Sequence, residues 1–172
     1  LRMTLGTGNL YPDRKKRDRL LHVFDSEVLD APTEVTGHGE VSLHIRTKEK
    51  DAVFFVYLED ITPGGEVWYV TEGELRGLHR KISEETPPYK DVIAYHSYLE
   101  KDAAPIPANE VVELRFDLLP ISYLFKKGHR IRIAIGTADI DNFKDLNRAG
   151  SEFEVMIGGK NGSKVTLPIM PR

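Results

Sequence analysis

Four oxygen-bearing side chains crowd the segment DIDNFKD: Asp139, Asp141, Asn142 and Asp145. Carboxylates and amides so spaced suit a hard cation such as Ca²⁺, which draws oxygen ligands from loops. An EF-hand would need an oxygen ligand at 143 and glycine at 144, where this chain has Phe143 and Lys144. What remains is a candidate Ca²⁺ site of irregular-loop type on Asp139, Asp141 and Asp145, set against a plain acidic loop. Other chemistries find less support. None of the serines at 26, 42, 83, 97, 122, 151 and 163 stands in the G-x-S-x-G frame that projects a nucleophile. Ser163 comes nearest, after Gly162 in the turn-like GGKNGSK. The six histidines include no H-x-x-x-H pair, so each reads as strand edge or loop. Gly6 and Gly8 form a G-x-G without the strand and helix that a dinucleotide would require. With no cysteine, disulfides, thiolate metal sites and cysteine nucleophiles are excluded. No catalytic residue and no cofactor are expected of this chain.

Three further features invite a functional reading. Trp68, Tyr69, Tyr89, Tyr95 and Tyr98 could supply a carbohydrate platform, but Trp68 and Tyr69 are strand neighbours, one facing in and the other out. Core or interface is the better reading for these rings. Asn161-Gly162-Ser163 matches a glycosylation acceptor and equally a hairpin turn, which is preferred. Lys126, Lys127, Gly128, His129 and Arg130 form a knot of charge, read as a corner: wet lysines, a permissive glycine, then a strand with Arg130 and Arg132 on its polar face. Glu113 or Asp117 is the expected partner of an arginine there.

The elements that must position these residues show a period of two. VSLHIR (41–46), VVELRF (111–116), RIRIAI (130–135), EFEVMI (152–157) and KVTLPI (164–169) alternate apolar and polar residues, as half-buried strands do. AVFFVYLED (52–60) is continuously apolar until its end, as in a strand covered on both faces. TPGGE then predicts a tight hairpin into EVWYVT. Pro120 closes the strand ending near Asp117, and residues 118–125 read as an apolar crossing. Gly73 reads as a position tolerating positive φ, and Arg76 as a pairing residue under the following loop. Residues 83–107, with four prolines, read as a long ordered loop over one face. No convincing helical period appears. Seven or eight short strands with turn-rich links predict an all-β fold, a jelly-roll β-sandwich.

The totals agree. The 172 residues suit about one domain, divided here into an arm, 1–20, and a sandwich, 21–172. The arm carries Arg14, Lys15, Lys16, Arg17 and Arg19, read as a solvated or acid-pairing surface segment. A net charge of −3 argues against nucleic acid or an anionic membrane as a partner. No apolar run approaches membrane-span length, and LRMTLGTGNL lacks a signal-peptide core. A start at Leu1 rather than Met suggests a piece of something longer, and cytoplasm is the default compartment.

The ordered motifs V-T-G (35–37), D-x-x-P-x-G (60–65), V-T-x-G-x-L-R (70–76), D-L-x-P (117–120) and G-H-R-I-R (128–132) carry a resemblance. Over about residues 18–171 the chain resembles the C-terminal non-catalytic domain of the X-Pro dipeptidyl-peptidase and cocaine-esterase family. That resemblance implies a galactose-binding-domain-like jelly roll packed on the α/β-hydrolase domain of its own parent chain. It implies a role in walling the substrate cleft or in homo-oligomer contacts. The family's serine, aspartate and histidine lie in the hydrolase body, so no catalytic position is carried over. The alternative is a free-standing carbohydrate-binding module of the same fold.

Overall fold

The computed structural model describes residues 13–88, 90, 94–140, 142–146 and 150–171. They form ten strands and four short 3-10 turns, with no α-helix among the described residues. β3 (Glu40–Thr47) alternates as its sequence requires, burying Val41, Leu43 and Ile45. It pairs antiparallel with β6 (Val111–Asp117) on one side. Its other side is shared end to end by β9 (Phe153–Val155) and β10 (Lys164–Thr166). The second sheet has the order β1 (His22–Asp25), β8 (Arg130–Gly136), β4 (Val53–Ile61), β5 (Val67–Arg76), all antiparallel. A two-stranded ribbon joins β2 (Thr33–Gly37) to β7 (Ile121–Phe125). The chain passes from one sheet to the other between β3 and β4 and again between β5 and β6. Neighbouring strands therefore come mostly from distant sequence.

The two larger sheets face each other across one apolar core. Phe54, Val56, Leu58 and Leu75 from one meet Val41, Leu43, Ile45, Leu114 and Phe116 from the other. Phe54 packs edge-on to Phe153 with ring centroids 5.5 Å apart. β4 is buried on its outer face too, where Phe55, Tyr57 and Ala134 are covered by Leu21 and Phe143. This second layer explains the unbroken apolar run of its sequence. The β4–β5 hairpin closes as expected: Gly65 N–H donates to Thr62 O at 2.9 Å, with Gly65 at φ 82°.

Two expectations about backbone are corrected. Residues 118–125 are more than a crossing, because Ile121–Phe125 is a strand paired with β2. Exposed Leu124 had blurred its alternation. Gly73 does not have positive φ. It is required because a Cβ there would lie 2.3 Å from the Asp117 carbonyl oxygen, where β5 passes under the exit of β6.

The long loop is ordered by its own bonds. Arg80 donates to the carbonyls of Gly77 and Pro105, both at 3.0 Å, and to that of Ala104. His96 is buried, with its ring nitrogens 2.9 and 2.8 Å from the carbonyl oxygens of Lys81 and Arg115, which ties the loop to β6.

Candidate functional site: the buried acids of strand β4

Two adjacent acids end the apolar run of β4, and strand geometry sends them to opposite faces. Glu59, fully buried, points to the outer face, where the leading segment crosses the sheet as the 3-10 turns Arg14–Lys16 and Asp18–Leu20. Arg14, 2% exposed, bonds Glu59 through Nε, and the same nitrogen lies 3.7 Å from Asp18 Oδ1. The Arg14 guanidinium also lies over the Tyr57 ring, 3.9 Å from its centroid, a cation–π contact. Arg132 of β8 completes the set, donating to Asp18 Oδ2 at 2.9 Å and to both oxygens of Asp25 at 2.6 and 2.9 Å. Burial, followed by the Asp18 carboxylate, holds the Glu59 carboxyl above the usual range, while Arg14 opposes that shift. The hydrogen bond from Arg132, by contrast, pulls Asp25 below its ordinary value.

Asp60, also buried, turns the other way and accepts from Tyr123 OH at 2.9 Å. Its other oxygen lies 2.8 Å from His129 Nδ1. The knot is a corner with an anchor. Lys126 and Lys127 are exposed, Gly128 has φ 85°, and His129 clamps the corner to β4.

The expected arginine partners are corrected as well. Arg132 pairs with Asp25 and Asp18, and Arg130 donates to Ser26 O at 2.7 Å. Glu113 instead accepts from Ser42 at 2.6 Å, and Asp117 lies 3.2 Å from His38. Arg76 pairs with Asp51, which precedes β4, rather than with the loop that follows β5.

The buried acids of β4 are absent from the sequence-based expectations, whereas Arg14 does pair with acids as the basic run suggested, but in a buried place rather than at the surface. A Glu-Asp pair closing a strand covered on both faces was the signal for them. The basic run divides: Arg14 is buried, while Lys15 and Lys16 are exposed. Of the Ca²⁺ candidates, Asp139 is buried and accepts from Tyr57 OH at 2.9 Å and from Asn142 Nδ2 at 2.9 and 3.0 Å. Asp145 is exposed, and Asp141 lies outside the described residues. Among the described residues no three His, Cys, Asp or Glu side chains converge as metal ligands. Ser163 serves the turn between β9 and β10, its Oγ accepting from His44 N at 2.9 Å. Trp68 is half exposed on β5 and Tyr98 exposed on the long loop, so they sit on different elements, and Tyr89 lies outside the described residues. A cleft of about 510 Å³ opens between the sheets, lined by Phe24, Val41, Val56, Ile133, Val155 and Ile157 among others. No described helix is long and apolar enough to cross a membrane.

The fold is therefore an antiparallel β-sandwich whose acids are engaged in holding it together. Residues 6–152 match the X-Pro dipeptidyl-peptidase C-terminal non-catalytic domain, and the chain belongs to that family. It is 46% identical over 160 residues to candidate serine esterases of Mycobacterium bovis and Mycobacterium tuberculosis, covering 93% of this chain and 26% of each relative. It is 25% identical over 169 residues to the cocaine esterase of Rhodococcus sp. strain MB1 Bresler, covering 91% of this chain and 26% of that one. The chain thus spans about a quarter of the length of the curated relatives it matches. Among solved structures, a CocE/NonD family hydrolase from Staphylococcus aureus superposes with a TM-score of 0.74 at 20% identity, over 89% of this chain and 31% of that one. An aminopeptidase from a marine-sediment Thaumarchaeota archaeon gives 0.73 at 19% identity, over 94% and 28%.

Proposed function

We propose that this chain is the C-terminal accessory domain of a serine acyl hydrolase and docks on the hydrolase body through the outer face of β4. The parent would transfer an acyl group to water through a serine acyl-enzyme, on esters or on peptides cut after proline. Its nucleophile lies outside these residues. One observation carries the choice of face. Leu20 and Ile140, 90% and 76% exposed, border the same hollow of about 230 Å³ together with Leu21, Tyr57 and Asp139. Large aliphatic side chains left in water beside one another mark interaction surfaces. In a C-terminal domain the rest of the parent arrives from the N-terminal side, by way of residues 13–20, which cross this same face. The galactose-binding-like variant of the sandwich and a reducing, cytoplasmic setting belong to the same proposal, the latter supported by the absence of cysteine. Contacts between copies of the parent also belong to it, and sedimentation velocity at rising concentration reads them directly.

The test places Leu20→Asp and Ile140→Asp together, in the full-length parent and in the 172-residue chain. The short chain should melt as before, because both side chains already face water. The parent should lose melting temperature and turnover of p-nitrophenyl butyrate. A parent unchanged in both removes this docking face. Turnover in the unmodified parent that survives a fluorophosphonate removes the hydrolase assignment instead.

A further inference from the structure

Among the described residues, the outer face of β4 holds more buried acid than its buried cations balance. Asp18 and Glu59 are 4% and 0% exposed, and one Nε of Arg14 serves both. Arg132 gives two of its three bonds to exposed Asp25, leaving one for Asp18. Around Glu59 stand Arg14 and Asp18 from the leading turns, Tyr57 on β4 itself, Arg132 from β8 and Asp25 from β1. Arg17 and Asp139 line the adjoining hollow with Arg14 and Tyr57, and Glu72 on β5 acts by its charge on Tyr57. Fully ionised, buried Asp18 and Glu59 share Arg14, while Arg132 spends most of its bonds on Asp25. An unbalanced charge in such a place is costly. Glu59 Oε2 and Asp18 Oδ1 are buried without a hydrogen-bond donor among the described residues, and both carboxyl groups face the same Arg14 Nε. A single proton satisfies both the charge balance and the missing donor.

We propose that Glu59 keeps a proton that bonds it to Asp18, and that this proton latches residues 13–20 to the sheet so that rising pH loosens the leading segment. The latch is a property of this chain and does not depend on what precedes the domain. The sign follows from linkage. Burial holds the Glu59 proton in the folded chain up to about pH 8, whereas a free glutamate loses its own near 4.5. Between those values the closed state binds one proton more than the open state. The latch is therefore fully stable below this window and weakens as the pH rises through it, reaching its loosest above about pH 8.

Hydrogen exchange on the 172-residue chain tests this at the amides of Leu20 and Leu21, which donate to the carbonyls of Arg17 and Asp18. With intrinsic exchange rates divided out, their protection should fall by up to about tenfold per pH unit across the window. Amides of Leu43 and Ile45 in β3 should not follow. Glu59→Gln, which keeps a donor at neutral charge, should flatten the dependence, and Asp18→Asn should do the same. Wild-type protection that ignores pH, or that falls equally in Glu59→Gln, overturns the latch. Should either variant fail to fold, the carboxyl ¹³C signals of the wild-type chain decide. One of the pair must titrate above about pH 6 if they share a proton, and two ordinary carboxylate titrations refute the proposal.

Discussion

Replacing Gly73 by alanine adds one methyl group where β5 runs under the end of β6. That Cβ would sit 2.3 Å from the Asp117 carbonyl oxygen and 3.1 Å from both Asp117 C and Leu118 Cα. Carbon and oxygen rarely approach closer than about 3.3 Å, so the chains must part by about 1 Å. The obstacle is backbone and is pinned on both sides. Leu118 N–H donates to Gly39 O and Leu119 N–H to Glu72 O, each at 2.8 Å, while Thr71 Oγ1 donates to Leu119 O at 2.9 Å. Overpacking of this kind costs about 1–3 kcal/mol, and straining two of those hydrogen bonds adds about 1 kcal/mol each, for a loss of about 3–5 kcal/mol. Against a domain stability of about 5–15 kcal/mol that is a large fraction. The sign is informative, since Gly→Ala at a compatible φ ordinarily gains about 0.4–1 kcal/mol. Urea denaturation followed by Trp68 fluorescence measures it, with two companions. Gly64→Ala, whose nearest neighbour would be Thr62 Oγ1 at 3.6 Å, should change stability by less than about 0.5 kcal/mol. Gly77→Ala meets Ile106 Cδ1 at 2.5 Å, the movable end of a side chain, and should cost less than Gly73→Ala. If Gly73→Ala loses under about 1 kcal/mol, or no more than Gly77→Ala, close approach is not the reason for this glycine.

Two further outcomes are expected from the outer face of β4. Asp25→Asn removes a carboxylate that Arg132 holds below its ordinary pKa. The stability it contributes should be present above about pH 4 and shrink as the pH falls further, so wild-type and variant urea midpoints should draw together below about pH 4. Midpoints that stay equally far apart at pH 6 and pH 3 would contradict the Arg132 pairing. Tyr57→Phe takes one donor from buried Asp139 and leaves it Asn142 alone among the described residues, which should cost about 1–3 kcal/mol in the same assay. A loss below about 0.5 kcal/mol would show that the carboxylate recruits another donor.

Much of the sandwich was legible because its signals are local. Alternation marked β3, β6 and β8, an unbroken apolar run marked β4, and Pro63 with Gly64 and Gly65 marked the hairpin into β5. The ordered motifs from V-T-G to G-H-R-I-R were enough to place the chain in its family. The strands that escaped had no such pattern. β1 is exposed along its whole length, β2 is short, and Leu124 of β7 points an aliphatic side chain at water. Pairing partners were beyond local reading for a different reason. Arg14 finds Glu59 across 45 residues and His129 finds Asp60 across 69, and a choice among many acids of equal chemistry is made only when the sheets bring one of them near. Gly73 shows the same division. Its sequence context announced a need for glycine, but whether φ or a neighbouring carbonyl imposed that need depended on where Asp117 comes to rest. The sequence by itself determined the strands that carry a local pattern and the family they form. The tertiary structure alone decided which charges share a buried space, because that follows from distances between segments far apart along the chain.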